Sequence, residues 1–146
     1  DGFWANGMGT EVAVRSGAGT VVLDVRRGDG PPAARGYTFP ALVASDRKIA
    51  EAPDEVAAAV RAIVSVQQML RENPARAKEV GDLRFPSTEA GLITELIERD
   101  LPYYDPSISE ETVDRMNRFA QSIGMLSNPV SYQQVVATQF QELWAP

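Results

Sequence analysis

From Pro53 onward the apolar residues of this chain recur at helical spacing, and each run is closed by its own stop signal. That pattern commits most of the polypeptide to short amphipathic helices. Pro53 suits a first helical turn, and Asp54 and Glu55 behind it suit the positive end of the helix dipole. Val56, Val60, Ile63, Val64 and Leu70 then line one face until Asn73-Pro74 stops this helix and starts another. Ser87 caps a helix whose inward residues are Leu92, Ile93, Leu96 and Ile97, and Pro102 ends it. Ser109 caps the next, with Val113, Met116, Phe119, Ala120 and Ile123 inward and Gly124 at the left-handed stop. Ser131 and Gln134 spell a capping box for a last helix, whose face is Val136, Phe140, Leu143 and Trp144. The spacings are irregular, so a solenoid of repeats is not expected.

The N-terminal third reads differently. Phe3-Trp4-Ala5 is short and apolar, Asn6-Gly7-Met8-Gly9 breaks it, and residues 10–16 have helix-compatible composition ending at Gly17. Residues 20–25 are β-branched and apolar, the pattern of a strand covered on both faces. These segments read as a strand–helix–strand unit with a right-handed crossover. Residues 28–40 hold the densest Gly and Pro and read as a loop or crossing segment, and residues 41–45 as one more strand. The expected fold class is therefore α/β, with short parallel strands at the N-terminus followed by a mostly helical tail. Two short strands cannot make a stable sheet alone and need neighbours from elsewhere.

Charge and residue content exclude several functions. Residues 1–53 carry six acids and six bases, while residues 54–146 carry fourteen acids and eight bases, so the whole net charge of -6 lies in the helical part. No clustered basic surface is available for phosphate backbones, which argues against a nucleic-acid partner. The absence of Cys and His removes thiol nucleophiles, imidazole bases and the usual zinc ligands. No catalytic residue, metal ligand or cofactor is expected within these residues. A chain without Cys suits an oxidising compartment, and no run of 18 apolar residues is present to span a membrane.

The residues that could touch a ligand cluster at Asn6-Gly7-Met8-Gly9, where an apolar segment ends and a helix begins. Free amides and the helix dipole there can hold an anion, and glycines let a ligand approach the backbone; a tight strand-to-helix turn is the structural alternative. Asn6 can hydrogen-bond a ligand or simply hold the turn. Trp4 can stack on a ligand or pack in the core beside Phe3. Tyr37, in the Pro/Gly-rich crossing, reaches either a cleft or a packing site. Tyr103, Tyr104 and Asp105 read as a clamp between helices, with Asp105-Pro106 as turn chemistry.

Several passages in order resemble one family. Asp1-Gly2-Phe3-Trp4 is similar to a second-lobe strand ending at a ligand cleft, and Phe39-Pro40-Ala41-Leu42-Val43-Ala44-Ser45 to a return crossing into the first lobe. Residues 53–79, with their Glu-Asn-Pro turn, and the stretch from Tyr104-Asp105-Pro106 to Tyr132 complete the likeness. Together they resemble the C-terminal half of substrate-binding proteins of ABC importers for sulfonates, nitrate, taurine and thiamine-precursor pyrimidines. The resemblance implies the second half of a two-lobed periplasmic-binding-protein-like fold. Residues 1–40 would belong to the second lobe and its crossing, and residues 41–146 would return to the first lobe and form the C-terminal helices.

The function it implies is capture of a small anionic or heteroaromatic nutrient, in the periplasm or another extracytoplasmic space, without chemistry on the ligand. Hinge closure would give the closed form contacts that the open form lacks. Implied partners are the small-molecule ligand, the transporter's membrane subunits and an N-terminal half preceding Asp1. The ligand-binding residues would be Trp4, Asn6, Gly7, Met8, Gly9 and Tyr37. An enzyme on the same fold, of the thiamine-pyrimidine synthase or desulfinase type, is the alternative, and a helical interaction domain the third reading.

Overall fold

The computed structural model describes residues 1–5, 7–32 and 41–144. Its helices run in the order α1 (Gly7–Arg15), α2 (Asp46–Glu51), α3 (Pro53–Glu72), α4 (Ala75–Arg84), α5 (Ser87–Asp100), α6 (Glu110–Ser122) and α7 (Tyr132–Val135). Short 3-10 turns occupy Val25–Arg27, Leu101–Tyr103 and Thr138–Leu143.

Among the described residues there is no strand, which overturns the α/β expectation. Residues 3–5, 20–25 and 41–45 have the composition of strands but not their setting. Phe3 is 71% exposed, Val22 96% and Val43 85%, so these side chains pack on no pleated neighbour. β-Branched residues favour a strand only where a partner completes the ladder and covers a face. Residues 20–25 end early as well: Val25 enters a 3-10 turn, and the Asp29 carboxylate accepts the Asp24 N–H at 2.9 Å.

The chain divides into two compact units. The first comprises residues 1–23 and 66–104. Its centre is the close packing of α4 on α5. Ala77 and Gly81 of α4 and Ala90 and Leu92 of α5 are buried, together with Leu70 from the end of α3. Small residues set the approach: a Cβ placed on Gly81 would lie 3.2 Å from the Ala90 Cβ. The junctions follow from local chemistry. Asn73 Oδ1 accepts the Ala75 N–H at 3.2 Å, opening α4 just past Pro74. At the other end Pro86 holds Phe85 extended (φ -133, ψ 157), which stops α4 and frees the chain to start α5.

The second unit comprises residues 24–65 and 105–146. Ser45 caps α2 by accepting the Lys48 N–H, and Lys48 pairs with Glu55 in the first turn of α3, where Val56 is buried. Ser109 caps α6 through the Thr112 N–H at 3.1 Å. Gly124 closes it at φ +75, with Met125 N–H bonded to the Ala120 carbonyl at 2.8 Å, the long bond of a Schellman motif. The capping box of Ser131 and Gln134 opens α7. That last helix is shorter than its sequence pattern suggests: Val136 is extended (φ -116, ψ 126), and the chain resumes as the 3-10 turn carrying Phe140. Val136 and Phe140 are the buried apolar residues of this end, while Leu143 and Trp144 are half-buried.

The inward face of α6 is rotated from the expected one. Phe119 and Ile123 are 40% and 52% exposed, whereas Asn117 is buried. A polar residue takes the central inward position because its amide is matched on both sides. Nδ2 donates to the Val130 carbonyl at 2.7 Å, and Oδ1 accepts the Val130 N–H at 2.9 Å. On α3, Ile63 is likewise exposed, while Val56 and Leu70 at either end of the expected stripe are buried.

Candidate ligand-binding site

The sequence-derived site falls at the start of α1, in the first unit. Trp4 is 80% exposed, so it does not pack in a core. Gly7 and Met8 are half-buried and Gly9 is exposed. Asn6 and Tyr37 lie outside the described residues.

Glycine at position 7 has a steric reason. A Cβ there would meet the Leu96 side chain of α5 at 2.8 Å, so the bare backbone lets the helix start sit against α5. At position 9 an added Cβ would lie 3.2 Å from the Ala5 Cβ, where the chain enters the helix. In any α-helix the first-turn amides lack an intrahelical carbonyl, which here leaves the N–H groups of Gly7, Met8 and Gly9 facing outward along the axis. No acidic residue occupies the first turn of α1 to compete for them. An exposed indole three residues before three such amides can receive a ligand with a flat apolar part and a negatively charged or electron-rich edge.

Around this start the charged groups belong to the body of α1. Glu11 bonds Arg99 of α5 at 2.9 Å and lies 3.6 Å from Arg15, while Arg15 pairs with Glu95. Arg99 also holds Asp100 at 2.9 Å. The sequence pattern alone does not reveal this network, because Glu11 and Arg99 lie 88 positions apart.

The clamp read at Tyr103, Tyr104 and Asp105 takes a definite form. Arg71, at the end of α3, donates to the Tyr104 carbonyl. Burial, with the Asp100 carboxylate as the lesser cause, pushes the Tyr104 phenol above its ordinary pKa. Asp105 Oδ1 accepts the Ser107 N–H at 2.9 Å and its hydroxyl at 2.7 Å, an Asx turn and not an acid–base pair.

A second concavity lies in the other unit. There Glu110, Asp114 and Asn117 of α6 face Pro129, Val130 and Tyr132 across an open hollow. Three of its polar side chains are already engaged: Asn117 with Val130, Tyr132 Oη with the Ile108 carbonyl at 2.6 Å, and Asp114 with Arg118 at 2.6 Å. The Asn117 clamp lies along one side of this hollow. The signal that could have found the clamp is a lone polar residue inside an apolar helical stripe.

Among the described residues no group of Asp and Glu is placed to hold a metal ion, and no helix is long and apolar enough to cross a membrane. Compared with known proteins, the chain matches no family model, no curated protein and no solved structure.

Proposed function

We propose that this chain belongs to the ligand-capturing component of an ABC importer, acting on a small anionic or heteroaromatic nutrient, with Trp4 and the amides of Gly7–Gly9 as its contribution to the site. The observation that carries the reading is the order of sequence passages, from Asp1-Gly2-Phe3-Trp4 through the Glu-Asn-Pro turn to the Tyr104–Tyr132 tail. It is supported by the exposure of Trp4 beside a helix start that holds no carboxylate. Binding would need no proton transfer: the ligand's charge meets outward amides and the positive end of the dipole, and its apolar part covers the indole.

Titration calorimetry of the 146-residue chain with an alkanesulfonate, nitrate and an aminopyrimidine tests the proposal. At least one class should bind, and Trp4→Ala should weaken that binding by about 1–3 kcal/mol, the scale of burying one large side chain. Such a loss is about a 5- to 150-fold rise in Kd. A parallel far-ultraviolet dichroism melt separates lost contact from lost fold. If none of the three classes binds, or if Trp4→Ala leaves affinity unchanged in a folded protein, the proposal is refuted.

A further inference from the structure

We infer that α1 is an ion-latched strap, helical only while the Glu11 carboxylate holds it to α5, and that it releases as a unit without the rest of its compact unit unfolding. The inference is independent of the ligand reading, since its readout is backbone exchange.

Three observations carry it. First, hydrophobic burial does not hold α1 in place: the helix has no buried residue, and Val12 and Val14 are exposed. Second, ionic contacts join it to α5. Glu11 accepts from Arg99 at 2.9 Å and is flanked by Arg15, which pairs with Glu95, while Gly7 approaches Leu96 and the apolar Met8 and Ala13 are only half-buried. Glu11 is the hub of this network, the one acid of α1, and its side chain is only 19% exposed. A partly buried, charge-assisted hydrogen bond of this kind is strong enough to decide the state of a weak element.

Third, α1 is such an element. It has nine residues, two of them glycine and three of them β-branched. Helices shorter than about 12 residues are marginal in water, and this composition lowers their stability further. A released α1 therefore melts. The strap ends at a glycine stop, where Gly17 adopts φ +70 and the Ala18 N–H bonds the Ala13 carbonyl at 2.9 Å. By contrast, α4 and α5 hold each other through the buried Ala77, Gly81, Ala90 and Leu92, so they lose little when the strap opens.

Hydrogen exchange read by mass spectrometry over residues 7–15 and 87–100 tests the strap. Glu11→Gln keeps the size of the side chain and removes its charge; it should speed exchange in residues 7–15 by about ten- to hundredfold, the worth of a hydrogen bond to a charged group. Exchange in residues 87–100 should stay within about twofold of wild type. Raising sodium chloride to about 0.5 M should speed exchange of the same α1 amides in the unmodified chain, because salt screens partly exposed pairs. The salt series also decides the matter should the variant fold poorly. Unchanged exchange in residues 7–15 under both perturbations would overturn the latch, and an equal rise in residues 87–100 would show that α1 opens only with the body that carries it.

Discussion

Replacing Asn117 with Ala should remove a clamp that ties α6 to the segment entering α7. The wild-type side chain is 7% exposed and makes two hydrogen bonds to one residue, at 2.7 Å to the Val130 carbonyl and 2.9 Å from the Val130 N–H. Each such bond contributes about 1 kcal/mol net, and a partner left unsatisfied in a buried place costs about 1–3 kcal/mol. Val130 is half-buried, so water can rescue part of that loss. The expected destabilisation is about 2–3 kcal/mol. Asn117→Leu restores volume but neither bond, so it should recover less than half of the loss. Asn117→Asp keeps the acceptor and sets a carboxylate against the Val130 carbonyl, which should cost at least as much as Ala. Urea unfolding is the assay: the midpoint should fall while the slope stays constant, as for a change in stability without a change in exposed surface. If Asn117→Ala lies within about 0.5 kcal/mol of wild type, a range typical of surface changes, the clamp does not hold α6 and the argument from burial and geometry fails.

Gly81→Ala should run against the usual helix trend. Alanine normally gains about 1 kcal/mol over glycine inside a helix. Here its Cβ would sit 3.2 Å from the Ala90 Cβ and 3.4 Å from the Ala90 Cα, so overpacking of about 1–3 kcal/mol should outweigh the gain. A thermal melt that shows the variant more stable than wild type would mean that α4 and α5 can separate freely. Tyr104 gives a pH signature. Its phenol is raised in the folded chain, first by burial and then by Asp100, so the native state keeps its proton to higher pH than the unfolded one. The associated stability is fully present below the ordinary phenol pKa of about 10 and is lost as pH rises through the higher folded value. Urea midpoints of Tyr104→Phe should therefore decline less between about pH 9 and 11 than those of wild type, and parallel declines would contradict the assignment.

The helical part of this molecule was legible because its signals are local. Ser109, Gly124, Ser131, Pro53 and Asn73-Pro74 act on amides and carbonyls within a few residues, and the helices begin and end at them. The strands were misread for the opposite reason. Residues 20–25 and 41–45 carry β-branched and apolar side chains, but a strand exists only through a partner ladder, and composition cannot supply one. The rotation of α6 was hidden too: Phe119 and Ile123 outrank Asn117 on any hydrophobicity scale, and only the distant Val130 backbone makes the amide the better buried group. At the candidate site the sequence reads as a turn over Asn6-Gly7-Met8-Gly9 with a helix from residue 10, whereas α1 already begins at Gly7. The sequence left open whether Trp4 packs inward, and the exposure of the indole answers that part alone.

The most direct test of ligand capture at the start of α1 is a nitrogen–proton correlation titration of the labelled chain with the three ligand classes named above. Saturable shifts are expected, concentrated on the amides of Gly7, Met8 and Gly9 and on the Trp4 indole N–H, with the amides of Asn117 and Val130 unmoved. Shifts centred on the α6 hollow, or none at saturating concentration of any class, would contradict ligand capture there.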